Sequence, residues 1–206
     1  MPQPSPTPKS AVKKSISFKI ASTALICALT CAGGFIKIPL PMLDITLQTF
    51  FACMAGLFLG KKWGALSQAI YMLLGLIGIP IFSRGGGITY VFMPSFGFIL
   101  GFILCAFICG ILRDRLFKDF YFDKIKITDY LKVFLICLAG IFGVYLIGAP
   151  YMLMILSFYL KQTQAVVSAA ALSLPLYVLG DLVSLIVLVL ATPVLYKRVP
   201  RLLDIS

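Results

Sequence analysis

Histidine and glutamate are missing from this chain altogether, and seven aspartates carry all of its side-chain negative charge. Without His the chain loses the usual neutral-pH proton shuttle and a common metal ligand. So few carboxylates leave little for acid/base chemistry. No Gly-rich loop followed by Lys and Ser/Thr is present to cradle nucleotide phosphates. Charged residues are 12% of the 206, about half the ~25% of soluble domains. An intramembrane enzyme is disfavoured by this inventory, and neither a cofactor nor a metal is expected.

What fills the space is hydrocarbon. Hydrophobic residues make up 61% of the chain, against roughly 45–50% in soluble domains, so the solvent is lipid. The length accommodates about six spans of roughly 20 residues with short connections and no additional soluble domain. Apolar runs between charges predict an all-α integral membrane protein, a bundle of six transmembrane helices: Ile16–Ile36, Ile45–Gly60, Trp63–Ile79, Val91–Leu112, Leu131–Leu160 and Val166–Tyr196. The last two are long enough to tilt or break, with Gly148, Pro150, Pro175 and Gly180 as the places to do so. Residues 16–200 are expected to form one substrate-binding domain. Residues 1–15, Pro-rich at their start, read as a disordered tail. The lysines and Ala-rich run that follow could imitate a signal peptide, with Ala28–Cys31 as a lipoprotein cleavage site, but a polytopic protein can keep its first span as an uncleaved anchor.

Charge orients this bundle. With a cytoplasmic N-terminus, 15 of the 18 basic residues fall on the inside and only Lys37, Arg84 and Lys161 outside, which favours two cytoplasmic termini. The net charge of +11 then reflects contact with anionic lipids, and no nucleic acid is needed to account for it. All six cysteines, Cys27, Cys31, Cys53, Cys105, Cys109 and Cys137, fall within predicted spans. Cys27 with Cys31, and Cys105 with Cys109, are a helical turn apart. With no His and no nearby carboxylate to complete a metal site, they read as small buried apolar residues.

Three segments carry chemistry. Ile36–Gly60 is a Pro-bracketed entry into an apolar helix bearing Thr46, Gln48 and Thr49, uncharged polar groups that must hydrogen-bond within the protein or to a ligand. Asp181 is the single carboxylate inside an apolar stretch. Read one way, it accepts ligand N–H groups in a wet cavity; read the other, it makes a buried helix–helix hydrogen bond or caps a re-entrant helix after Pro175 and Gly180. Ile79–Pro94 holds Arg84 followed by Gly85, Gly86 and Gly87, a backbone able to approach a ligand and offer amides to an anion. The alternative there is a plain external loop with a solvated Arg.

Several motifs in order resemble the BioY family, the biotin-binding S components of energy-coupling-factor (ECF) vitamin transporters. They are a Pro-x-Pro lead into Ile-Thr-Leu-Gln-Thr (Ile45–Thr49), Ala-Gly-x-x-Leu-Gly (Ala55–Gly60), Gly-Ala-Leu, Leu-Leu-Gly-Leu-Ile-Gly-x-Pro (Leu73–Pro80), the Gly-rich loop with Arg, and Pro-x-x-Gly-Phe-x-x-Gly-Phe (Pro94–Phe102). The resemblance is clear over the first half and rests chiefly on Gly180-Asp181 in the last span. It implies a multi-pass subunit of a prokaryotic cell membrane that binds biotin as a transported ligand. Asp181 would take the ureido N–H groups and Arg84 the carboxylate, with Gln48, Tyr71, Tyr90 and Tyr177 as walls or polar contacts. It also implies partners, a transmembrane coupling subunit and two ATPase subunits. An Ala-x-x-x-Ala face on the first helix would dock the coupling subunit, and Ala24 and Ala28 match it in the row Ala24, Ala28, Ala32. Internal packing is the other reading of that row.

Three positions depart from the family pattern. Ser184 stands where a Lys is expected three residues after the Asp, Ser83 precedes Arg84 with all three glycines following, and Asp44 replaces the Pro before Ile-Thr-Leu-Gln. Lys37 or Lys161 could supply the missing positive charge, or the ligand could be a relative of biotin. An autonomous carrier for biotin or a related small carboxylate is the alternative function.

Overall fold

The computed structural model describes residues 16–40, 43–117 and 126–198. The predicted N-terminal tail, Asp119, Asp123, Arg201 and Asp204 lie outside them. Helix α1 runs Ile16–Phe35, and a two-stranded antiparallel hairpin pairs β1 (Lys37–Ile38) with β2 (Ile45–Thr46). Then come α2 (Gln48–Leu76), a 3₁₀ turn at Ile88–Phe92, α3 (Phe96–Leu116), α4 (Ile127–Met154) running into a π turn at Ile155–Tyr159, and α5 (Gln164–Arg198). Four described helical stretches are long and apolar enough to cross a membrane: Ile16–Phe35, Phe96–Leu116, Ile127–Tyr159 and Gln164–Thr192.

Among the described residues five long helices therefore stand where six separate ones were expected, because the second and third predicted spans form one stretch, α2. It is not straight. Gly60 has φ 76° and ψ −178°, a conformation essentially confined to glycine. The Gln48 amide nitrogen donates to the Tyr71 hydroxyl 23 residues on, whereas a straight helix would separate them by about 34 Å. The two arms of α2 thus fold back on one another. Arg113, 2% exposed, reaches from α3 to donate from Nη1 to the carbonyls of Leu57 (3.1 Å) and Phe58 (3.4 Å). Those acceptors belong to the last turn of the first arm, where helix carbonyls need partners from outside the helix.

The expected breaks in the last two helices do not form. α5 continues through Pro175 and Gly180, and α4 through Gly148 and Pro150. A proline removes one ladder bond from a long helix, a loss the packing of so long a helix tolerates. Gly180 serves close approach: a Cβ there would lie 2.8 Å from Ile45 Cγ2, so its absence lets β2 rest against α5. The helix predicted from Val91 starts only at Phe96, because Pro94 disfavours helical geometry just before it.

Between helices in lipid, packing and polar contacts replace water exclusion as the cohesive force. Small residues fill the seams. A Cβ at Gly101 of α3 would stand 2.7 Å from the Val144 carbonyl of α4. Cys105 and Cys109 sit over Gly140, and Cys109 Sγ donates to the Ile136 carbonyl at 3.5 Å. Cys53, Cys105 and Cys109 place their sulfurs within 4.8 Å of one another, all buried. Meanwhile Leu172, Phe142, Leu190 and Val187 are each more than half exposed, as befits side chains that face acyl tails.

The turn at Gly60 yields a prediction. Gly60→Ala is expected to cost about 1–3 kcal/mol through backbone strain, read as a lower midpoint of thermal unfolding in detergent. An unchanged midpoint would mean that the chain does not turn at this residue.

Candidate functional site

A cleft of about 560 Å³, counting its open mouth, lies where the hairpin, α2, α3, α4 and α5 meet. Asp181 is at its heart, 7% exposed, accepting a 2.8 Å hydrogen bond from Tyr145 of α4. The carboxylate therefore both joins α4 to α5 and lines the cavity, and the two sequence readings of a helix–helix bond and a cavity acceptor coexist. It does not cap a broken helix, since α5 is continuous around it.

Gln48, Tyr90 and Tyr177 join Asp181 in the lining. Each is held by its own partner. Gln48 accepts from Thr46 Oγ1 at 3.2 Å while its amide nitrogen donates to Tyr71, so Tyr71, fully buried, stands behind the wall. Tyr177 accepts from the Leu43 amide at 3.1 Å, fastening the hairpin to α5. Tyr90 accepts from Ser95 Oγ at 3.0 Å. Phe98, Ile99 and Phe102, on the apolar face of α3, complete the walls.

The rim is ionic. Asp44, its side chain 2% exposed, accepts from Arg84 Nη2 at 2.9 Å and Nε at 3.2 Å, with Lys37 Nζ at 3.6 Å. Arg84 Nη2 also donates to the Leu40 carbonyl at 2.7 Å, and Lys37 to that of Ser83. Burial works to raise the Asp44 carboxyl, but the hydrogen bonds and charge of Arg84, with Lys37, outweigh it and hold the group below its ordinary value. Hydrogen bonding to Asp44 pushes the Arg84 guanidinium up.

Other expected site residues stand apart from the cavity. The Gly85 amide donates to the Phe82 carbonyl at 3.2 Å and the Gly87 amide to that of Gly75 at 2.7 Å. One is spent inside the loop and the other on the end of α2, so the glycines shape the turn that presents Arg84 and these two amides are not offered to an anion. Gly86 packs its Cα against Ile79 and Gly75. Ser184 Oγ donates to the Gly180 carbonyl at 3.3 Å, one turn beyond Asp181 and away from the lining. Tyr145 was not anticipated. The available signal was a hydroxyl in the middle of an apolar span, which needs a partner there.

Chemically, the cleft offers a buried acceptor at Asp181 and aromatic and aliphatic walls, and its lining residue Asp44 joins it to Lys37 and Arg84, which lie outside the lining and bring the cluster's charge to +1. That suits a small ligand with donors on one part, an apolar body and an anionic group.

A family model described as the BioY family matches residues 7–201. The chain belongs to the BioY family. Among its relatives are the probable biotin transporter BioY of Lysinibacillus sphaericus, 36% identical over 152 residues, covering 73% of this chain and 72% of the relative. The biotin transporter BioY of Thermotoga maritima is 32% identical over 170 residues, 82% of this chain and 90% of the relative. In fold, the chain is similar to the crystal structure of an S-component for biotin from an ECF-type ABC transporter, with a TM-score of 0.65 and 20% identity over 86% of this chain and 92% of that one. Within this BioY chain, Asp44, at the position where the resemblance led us to expect Pro, is the residue that anchors Arg84.

The depressed Asp44 carboxyl sets a pH dependence. Its contribution to closing the rim is complete above the ordinary carboxylate value of about 3.9 and fades as pH falls through the lower folded value. Spin labels at positions 38 and 88, in a background without native cysteines, should report one narrow distance at neutral pH that broadens only in this acid range, and Asp44→Asn should broaden it at neutral pH. A wild-type distribution unchanged through the acid range would refute the ionic closure.

Proposed function

We propose that this BioY chain is the substrate-capturing subunit of a biotin uptake system, a transport protein and not an enzyme. The observation that carries the reading is the polarity of the cleft of a BioY-family chain: a buried carboxylate beside apolar walls beneath a cationic rim. In this reading Asp181 accepts the ureido N–H groups of biotin, with Tyr145 fixing the carboxylate. Phe98, Ile99 and Phe102 contact the ring and tail. Arg84 and Lys37, in excess over Asp44 by one charge, attract the ligand carboxylate, which supplies a positive group in place of the Lys absent at Ser184. Gln48, Tyr90 and Tyr177 shape the wall, and Tyr71 and the glycines of the loop act from behind it. No cofactor enters.

Six spans, formed by counting the arms of α2 separately, with both termini in the cytoplasm and the cleft facing out, complete the proposal. Residues 16–200 act as one unit. Its support is that Lys61, Lys62, Arg113 and Arg115 share the end of the bundle opposite Lys37 and Arg84. Energy would come from a transmembrane coupling subunit and two ATPases. Ala21, Ala24, Ala28 and Ala32 are all exposed on α1, while Ile26, Cys27 and Thr30 face the bundle, which favours docking over internal packing for the Ala row.

Two measurements test these assignments. Asp181→Asn should weaken biotin binding at least tenfold, about 1.4 kcal/mol, because a ligand donor loses its charged acceptor. Arg84→Ala should weaken biotin more than biotin amide. Calorimetry on folded variants reads both, and wild-type affinity in both would sink the site.

For the partner, Ala24→Trp with Ala28→Trp is expected to abolish co-purification with the coupling subunit and ATP-driven uptake while leaving biotin binding intact. Retained assembly in that double variant would remove this face as the contact.

A further inference from the structure

A second concavity lies at the other end of the bundle. It is an open groove of about 1080 Å³ between the start of α1, the turn of α2 and the end of α3, and Lys19, Lys61, Lys62, Trp63, Leu66 and Asp114 line it. Asp114 does not neutralise the lysines, because its carboxylate is held by Arg113 at 2.8 Å. Three ammonium groups are thus gathered at one wall, where the second arm of α2 begins and its dipole adds positive potential. The amphipathic ring of Trp63 marks the depth at which headgroups begin. Beside the lysines the wall is apolar at Leu59 and Leu66, and Leu73, seven residues beyond Leu66 on the same face of this arm, continues that surface outside the groove, the two being 43% and 56% exposed.

We propose that this groove binds an anionic phospholipid, its phosphate among Lys19, Lys61 and Lys62 and an acyl chain along Leu66 and Leu73. A free phosphate would use the lysines alone. The leucine row and the Trp favour a ligand with a tail, and clustered basic side chains between transmembrane helices select anionic over zwitterionic headgroups. The inference does not depend on what the cleft at Asp181 binds, only on the chain lying in a bilayer.

The groove contains the chain's only tryptophan, so its fluorescence reports occupancy. In nanodiscs, phosphatidylglycerol with brominated acyl chains should quench Trp63 with an apparent preference of about tenfold over brominated phosphatidylcholine. Lys19→Gln with Lys61→Gln and Lys62→Gln should bring the two lipids to parity. A charge-matched control outside the groove, Arg115→Gln with Lys126→Gln and Lys132→Gln, should keep the preference. Equal losses in both triple variants, or no preference in the wild type, would overturn the site in favour of bulk electrostatics or ordinary annular lipid. Displacement of the brominated lipid by excess inorganic phosphate would overturn the lipid assignment. Should the groove variant fail to fold, salt on the wild type decides: the preference must fall as ionic strength rises, and a salt-independent preference would refute a phosphate held by lysines.

Discussion

Hydrocarbon offers no hydrogen bonds, so every polar group carried into it must find its partner inside the protein. That constraint explains why the polar side chains of this chain occur as pairs. Asp181 is met by Tyr145, Gln48 by Tyr71 and Thr46, and the Gln68 amide nitrogen by Thr30 of α1 at 3.2 Å, while the Gln68 amide oxygen is the exception among the described residues, buried without a partner. The buried guanidinium of Arg113 is met by two helix-ending carbonyls and Asp114. Most of these contacts join different elements, and the Gln48–Tyr71 bond joins the two arms of α2, so satisfying the chemistry also determines which helical segments lie together.

The cleft follows from that arrangement. Turning α2 back at Gly60 brings Gln48 beside Tyr71 and lets the hairpin cross the mouth of the bundle. Gly180 leaves room for Ile45 on α5, and Tyr177 holds Leu43 there. Close helix seams around Gly101 and Gly140 supply van der Waals contact where hydrophobic expulsion is weak. The proposed biotin site is therefore a gap left between elements whose approach small residues permit and polar pairs fasten.

Charge is sorted along the same axis. The rim cluster of Lys37, Asp44 and Arg84 retains one net positive charge, while the opposite end concentrates lysine and arginine. One end is suited to attracting a small carboxylate, the other to anionic lipid headgroups. Asp44 decides how the first is held: Arg84 is oriented by a buried carboxylate in addition to a backbone carbonyl.

Much of this was legible in the chain itself, for a definite reason. Hydropathy and the placement of Lys and Arg are local properties set against a uniform solvent, so membrane residence and the positions of the apolar segments could be read directly, and Asp181, Arg84 and Gln48 could be singled out as candidates. The ordered motifs from Ile45 to Phe102 pointed to the family. Pairings between distant residues could not be read. That Tyr145 would answer Asp181, that Asp44 would claim Arg84, that the Gly85 and Gly87 amides would be used internally and that Ser184 would bond back to its own helix all depend on how helices approach. The same holds for Pro175 and Gly180, which look like helix breakers along the sequence yet lie inside an unbroken α5. Local propensity there is a small term, and the packing of whole helices against one another, with no water to compete for the backbone, is the larger one.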